Sequence, residues 1–166
     1  SNSATINDVT PDGVWYFHIK AKSNSGLWSL VSTYQINIDM GPQAPVITAT
    51  THPNSNKWYL SSTPSFTFQA NSASGVNRYN FKVDKFPVSD PPDVCDPIPG
   101  CVTTNSPGTY VSPSLENGVY YFHVKAWSNT GVAGPATHFK FMIDAAPGAP
   151  VLSSPTHPDS NLFYGS

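Results

Sequence analysis

The two cysteines of the chain lie close together in a proline-rich stretch, residues 90–101. Cys95 and Cys101 have no His near them, so they cannot supply the ligands of a tetrahedral zinc site. Two cysteines at this spacing favour a local disulfide. Such a bond would point to an oxidising, extracytoplasmic compartment.

Three aspartates in the same stretch, Asp90, Asp93 and Asp96, have carboxylates of the kind that Ca²⁺ accepts as ligands. Prolines interrupt the three, however, and the Asp-x-Asp-x-Asp-Gly pattern of a calcium loop is missing. The sequence therefore favours a solvated turn, with calcium binding as the alternative.

Four of the five histidines form two pairs with a constant separation, since 123 − 18 and 157 − 52 both equal 105. His18 and His123 share one sequence context, and His52 and His157 lie in two copies of Thr-His-Pro. Residues that recur in this way are expected to serve packing or turns. The sequence also lacks a Gly-x-Ser-x-Gly nucleophile motif and a glycine-rich phosphate loop. We therefore expect no catalytic residue, no metal site and no cofactor.

The composition indicates a folded chain without helical bundles. Of the 166 residues only 11% are charged, and the net charge is −2, which argues against a nucleic-acid partner. The 17 prolines break helices, while 39% hydrophobic residues argue against disorder. The sequence also has no apolar run of the roughly 18–20 residues that cross a bilayer.

A long repeat organises the sequence. Gly13-Val-Trp-Tyr-Phe-His-Ile-Lys-Ala21 recurs 105 residues later as Gly118-Val-Tyr-Tyr-Phe-His-Val-Lys-Ala126. Residues 12–61 and 117–166 align without a gap, with 23 identities in 50 positions. A period of this length is too long for a solenoid repeat and fits a whole domain. The sequence therefore predicts a tandem array of domains.

The repeat also predicts where the domains are divided. Ala-Pro pairs at 44–45 and 149–150 follow proline and glycine residues, a composition typical of linkers. We expect a complete domain at residues 44–148. Residues 1–43 would be the C-terminal part of a preceding domain, and residues 149–166 the first strand of a following one.

The strands are predicted from apolar residues that alternate with polar ones. Tyr120, Phe122, Val124 and Ala126 form one such series, and the stretch after Trp15 repeats it. Further short alternating stretches, separated by Gly, Ser, Asn and Pro turns, give six or seven strands in the complete domain. This pattern predicts an all-β protein, with an antiparallel sandwich of two sheets.

The stretch Tyr120-x-Phe122-x-Val124-x-Ala126-x-x-Asn129-x-Gly131 resembles the sixth strand and following turn of fibronectin type III and related bacterial immunoglobulin-like repeats. The resemblance implies an immunoglobulin-like antiparallel sandwich. It also implies tandem modules in a large secreted or cell-surface protein.

Two groups of residues are candidates for contacts. Tyr16, His18, Tyr121 and His123 are predicted on an outward sheet face, where they would bind a sugar or a protein or act as ordinary cross-strand pairs. The Thr-His-Pro-x-Ser-Asn-x-x-Tyr string is favoured as a proline-fixed turn, with a contact to a neighbouring module as the alternative. In either case, aromatic residues near it are expected at the junction between modules. The predicted junction residues are His52, Trp58, Tyr59, His157, Phe163 and Tyr164.

These features favour a non-catalytic structural or adhesive segment of a large extracellular protein, in a stalk, surface layer or filament. Its partners would be neighbouring repeats, of the same or of identical chains, and a glycan or cell-surface ligand. The alternative is a carbohydrate-binding or spacer module of a secreted polysaccharide-degrading enzyme.

Overall fold

The computed structural model describes residues 3, 5, 12–95, 100–103, 107–159, 161–163 and 165. These residues form ten strands and no helix. The strands are β1 (Gly13–Ile19), β2 (Ser32–Ile38), β3 (Val46–Ala49), β4 (Trp58–Tyr59), β5 (Ser65–Gln69), β6 (Val76–Asp84), β7 (Cys101–Thr103), β8 (Gly108–Val111), β9 (Gly118–Ser128) and β10 (Thr137–Ile143).

Strands β3 to β10 form two sheets. The larger sheet has the order β4-β10-β9-β6-β7, and the smaller has the order β3-β5-β8. All neighbours are antiparallel except β4, which runs parallel to β10. The chain passes from one sheet to the other several times, so strands far apart in sequence become neighbours.

The core between the two sheets is aromatic. Phe66 on the smaller sheet stacks on Phe122 of the larger sheet, with ring centroids 4.3 Å apart and planes 3° apart. Phe68 contacts Tyr79, Phe81 and the same Phe122 ring. These side chains alternate along their strands with outward residues, which is why each sheet has one apolar face.

The Phe68 ring lies over the neighbouring strand of its own sheet, at a position that has no side chain. A Cβ atom at Gly108 would lie 2.1 Å from a ring carbon of Phe68. Gly108 pairs with Phe68 in the β5–β8 ladder, and its missing side chain leaves the space that the Phe68 ring fills.

Strands β1 and β2 form a separate antiparallel hairpin. Gly13 pairs with Ile38 and Ile19 with Ser32. Many apolar side chains of this hairpin are exposed, including Trp15, Ile19 and Tyr34.

The all-β fold with a sandwich of antiparallel sheets is confirmed. The prediction did not include β4 and β7, because strands of two and three residues leave no readable alternation. After Ile143 the described residues contain no strand, whereas one was expected in residues 149–166. Among the described residues, no strand pairs with this segment.

The buried Phe122 and its counterpart Phe17, 105 residues earlier, provide a test of the core. Phe122→Ala should lower the free energy of unfolding by about 3–5 kcal/mol, because it leaves a cavity against Phe66. Phe17 is half-buried, so Phe17→Ala should cost less than about 1.5 kcal/mol. Urea unfolding followed by tryptophan fluorescence measures both values. Equal losses would contradict this assignment of the core.

Candidate interaction surfaces

The segment that precedes the disulfide, residues 85–95, lies against the outer face of the larger sheet. Cys95 and Cys101 are joined by a disulfide, with Cα atoms 5.4 Å apart. Before the bond, residues 85–95 cross the sheet, and Lys125 on β9 donates to the carboxylates of Asp90, at 2.9 Å, and Asp93. The Lys125 side chain is only 5% exposed, so the loop covers a charged group on the sheet.

Further hydrogen bonds hold the same loop. The Arg78 guanidinium donates to the Asp93 carbonyl at 2.9 Å and lies 4.2 Å from the centre of the Trp127 ring. Asn80, which is completely buried, donates to the carbonyl of Pro92. The loop is therefore bound through its backbone as well as through its acids.

The aspartates of this loop were predicted as a solvated turn or as calcium ligands. Asp90 and Asp93 are largely exposed, and each carboxylate contacts the Lys125 ammonium instead of another acid. Asp96 lies outside the described residues. Burial lowers the pKa of Lys125, but the hydrogen bonds that it donates to Asp93 and Asp90, together with their negative charges, outweigh burial and raise the pKa above its usual value.

A second buried polar group lies further along β9. His123 is completely buried, with its Nδ1 atom 2.7 Å from Nδ1 of His138 and its Nε2 atom 3.1 Å from an Asp84 carboxylate oxygen. Burial lowers the pKa of His123, and Asp84 opposes that effect only in part. Burial also acts to raise the pKa of Asp84, but hydrogen bonds from Phe86, Ser89, Lys82 and His123 hold it well below its usual range.

The structure covers part of the predicted outward face. His123 is not available to a ligand, because Asp84 and His138 enclose its ring. Tyr121 is half-buried and stacks on His123 at 6.3 Å. Tyr16 and His18 are exposed on β1 and stack on each other at the same distance. The four residues form two equivalent pairs, and only the pair on β1 is open.

The first Thr-His-Pro string lies between the sheets at one end of the sandwich. His52 is completely buried, and its ring contacts Tyr59 and Phe141 edge-on. Burial lowers the pKa of His52. Trp58 is exposed, whereas Tyr59 accepts a hydrogen bond from the Asn54 amide and from the Asp144 amide. His52 and Tyr59 thus pack within one sandwich.

The second copy of the string makes the same local contacts without this burial. Thr156 contacts His157 at 2.9 Å, as Thr51 contacts His52 at 2.8 Å. His157 and Phe163 are exposed. Tyr164, also predicted at the junction, lies outside the described residues.

Asp39 was not predicted as a contact residue, although its Ile-Asp context recurs at Ile143-Asp144. It follows β2, and its carboxylate accepts hydrogen bonds from the hydroxyls of Ser72, Ser74 and Thr130. The repeat contained the signal, but only the folded chain shows which hydroxyls come together.

In the described part of the chain, no cluster of three or more His, Cys, Asp or Glu side chains is arranged to hold a metal ion. The same residues contain no helix long and apolar enough to cross a membrane.

Comparisons with known proteins bear on the fold. No protein-family model matches the chain, and no curated protein matches it. Among solved structures it is similar to the fibronectin(III)-like modules of CbhA from Clostridium thermocellum, with 18% identity and a TM-score of 0.44, over 82% of this chain and 65% of that one. It is also similar to the PKD domain of an M14-like peptidase from a Thermoplasmatales archaeon, with 14% identity and a TM-score of 0.42, over 64% of this chain and 98% of that one.

The chain spans less than two thirds of the CbhA structure. Its own strand order decides the fold: β3, β5 and β8 take the places of strands A, B and E, and they face β6, β9 and β10 in the places of C, F and G. The fold is an immunoglobulin-like β-sandwich. The predicted resemblance is confirmed at the level of the fold.

Lys125 has a matched control in Lys20, its exposed counterpart in the hairpin. Lys125→Met should lower the free energy of unfolding by about 1–2 kcal/mol, because Asp90 and Asp93 lose their partner while remaining near solvent. Lys20→Met should change it by less than about 0.5 kcal/mol. Urea unfolding of the oxidised protein measures both, and an equal effect of the two variants would refute the role of Lys125.

His123 should make the sandwich sensitive to mild acid. Its pKa is lower in the folded than in the unfolded chain, so below pH of about 6.5 the unfolded chain takes up a proton that the folded chain does not. The contribution of neutral His123 to the free energy of unfolding is therefore complete above that pH. It is lost progressively as the pH falls below about 6.5.

The expected result is a smaller loss of stability between pH 7 and pH 5 for His123→Gln than for the unchanged protein. His18→Gln, at the equivalent exposed position on β1, is the matched control for the loss of a histidine side chain. Urea titrations at a series of pH values give the slopes, and an unchanged slope in His123→Gln would show that another group is responsible.

Proposed function

We propose that this chain is a non-catalytic segment of tandem immunoglobulin-like modules in a large extracellular protein, where it provides length and stiffness. The observation that carries the proposal is the equivalence of the two hairpins. Gly13 pairs with Ile38 as Gly118 pairs with Ile143, and all seven pairs of β1 and β2 have a counterpart 105 residues later.

The equivalence extends beyond the ladders. The bridge between Lys22 and Trp28 recurs between Trp127 and Ala133. The Ser23 amide donates to the Leu27 carbonyl, and the same bond recurs 105 residues later. Two stretches with only partial sequence identity thus adopt one backbone arrangement, which is expected of two copies of one module.

On this basis we assign residues 44–148 to one complete module. Residues 1–43 would be the C-terminal part of a preceding module, and residues 149–166 would begin a following one. The exposed apolar face of β1 and β2 fits this assignment, because the counterpart face of β9 and β10 is covered by the smaller sheet.

The pairing of β4 with β10 suits a module that transmits tension. Strand β4 lies near the start of the sandwich and β10 is its last strand, and the two run parallel. The amide of Asp144 extends the pairing by donating to the Tyr59 carbonyl at 2.9 Å. Pulling on the two ends of the module would load these hydrogen bonds in parallel, in a shear geometry. If the strands were instead peeled apart, the bonds would break one at a time.

The covered face of the larger sheet favours a structural role over sugar binding. Tyr121 and Trp127 are half-buried, and the cations of Arg78 and Lys125 lie beside the Trp127 ring. Residues 85–95 lie across the same face. A sugar-binding site needs aromatic faces that are open to the ligand.

The disulfide supports an extracellular location, since such bonds persist in oxidising compartments. The modules would associate with neighbouring repeats, in a stalk, a surface layer or a filament.

Stretching single molecules of the chain tests the mechanical role. The sandwich between Val46 and Ile143 should unfold in one step that lengthens the chain by roughly 300 Å. A reductant should add about 20 Å, because it releases the disulfide loop, whose ends are 6 residues apart in sequence. Gradual extension at low force would contradict the proposal.

A glycan array separates the alternative of a carbohydrate-binding module. The structural role predicts no retention of the 166-residue chain on the array or on insoluble polysaccharides. Retention that Tyr121→Ala abolishes would favour the carbohydrate-binding function instead.

A further inference from the structure

The linker that follows β2 is held against one end of the sandwich by Asp39. One carboxylate oxygen accepts from the Ser72 hydroxyl at 3.1 Å, and the other accepts from Ser74 at 2.7 Å and from Thr130. Hydrogen bonds from Thr130 and Ser74 hold the pKa of Asp39 well below its usual range. Asp39 therefore bridges the two turns at this end, the β5–β6 turn and the β9–β10 loop.

Two glycines let the linker approach this closely. Gly41 has φ +95°, and a Cβ atom there would lie 3.0 Å from the Ala133 carbonyl oxygen. A Cβ atom at Gly134 would lie 2.2 Å from the carbonyl oxygen of Pro42. Gly41 and Pro42 are buried, and the Gln43 amide donates to the Asn71 carbonyl at 2.9 Å.

The second linker keeps the aspartate and the proline but loses the glycine. Asp144 and Pro147 correspond to Asp39 and Pro42, whereas Ala146 stands where the first linker has Gly41. An alanine at that place would need a left-handed backbone and would meet the β9–β10 loop. The second linker would therefore need a strained backbone at Ala146 to adopt the conformation of the first.

The β9–β10 loop, against which the linker packs, also differs between the two copies. The counterpart of Gly134 in the hairpin is Ser29, whose side chain would occupy the place of the linker carbonyl. Each glycine of the docked junction thus has a larger residue at the corresponding place in the other copy.

A third difference concerns the aspartate itself. Asn117 donates through its side-chain amide to Asp144 at 3.3 Å and to the Ala145 carbonyl at 3.2 Å. In the first copy the same place is taken by Asp12, which accepts from the Met40 amide. Asp12 lacks the side-chain N–H with which Asn117 donates to Asp144, so the hydrogen bonds to the Asp39 carboxylate come from the hydroxyls of the following sandwich.

We propose that the end of the sandwich formed by Ser72, Ser74, Thr130 and Gly134 is a docking surface for an Asp-x-Gly-Pro linker of the preceding module. The junction at residues 39–43 is docked, and the junction at residues 144–148 does not dock in this way. This inference rests on the proposed tandem arrangement. Modules would then form stiff pairs, with a different geometry between one pair and the next.

Amide exchange at Gln43 in the 166-residue chain tests the docking, because its amide is bonded to the sandwich. Gly41→Ala should raise the exchange rate of Gln43 at least tenfold. Asp39→Ala should act in the same direction, without the backbone strain of the first variant. Gly148→Ala is the matched control in the other linker, where a Cβ atom meets nothing within 4 Å, and it should leave the rate within twofold.

Amides in the core, at Phe81 and Phe122, report whether each variant remains folded. If Gly41→Ala disturbs the core, Asp39→Ala decides the question. Unchanged exchange at Gln43 in Asp39→Ala with an intact core would overturn the proposal, and so would an equal rise in Gly148→Ala. Gln43 can stay protected even if stretching and glycan experiments reject the mechanical role, so the two failures are distinguishable.

Discussion

The stack of Phe66 on Phe122 joins the two sheets, and the other features of the sandwich depend on it. Because the rings are parallel and 4.3 Å apart, the smaller sheet must lie close to the larger one. Phe68 can fill the remaining space only because Gly108 has no side chain. With the sheets fixed in this way, the inner face of β9 is apolar. The polar residues of β9 lie on its outer face, and they form their hydrogen bonds and ion pairs there.

The outer face of β9 is where the chain departs from a plain sandwich. Because side chains alternate along β9, His123 and Lys125 lie on the face of the larger sheet that points away from the core. Both are nevertheless buried. The loop at residues 85–95 brings Asp90 and Asp93 to Lys125, and Asp84 lies against His123. A buried charge without such partners would be costly, so the loop and the sheet depend on each other. This mutual dependence explains why residues 85–95 keep a defined position.

The two ends of the sandwich have different chemistry. At one end His52 and Tyr59 pack inside, next to the parallel pair of β4 and β10. At the other end hydroxyl groups and Gly134 face the incoming linker. The two ends are therefore not interchangeable as surfaces for a neighbouring segment of chain.

The sequence by itself determined the all-β class, the alternation of core residues such as Phe122, and the repeat of 105 residues, because side-chain periodicity and self-similarity are local properties of a chain. The sequence also determined the pairing of Cys95 with Cys101, since the two cysteines are only 6 positions apart. The burial of His123 and the contacts of Asp39 were decided by the tertiary structure alone. Their partners, Asp84 and Thr130, are 39 and 91 positions away, and no local pattern encodes which loop will lie across a sheet face or receive a linker.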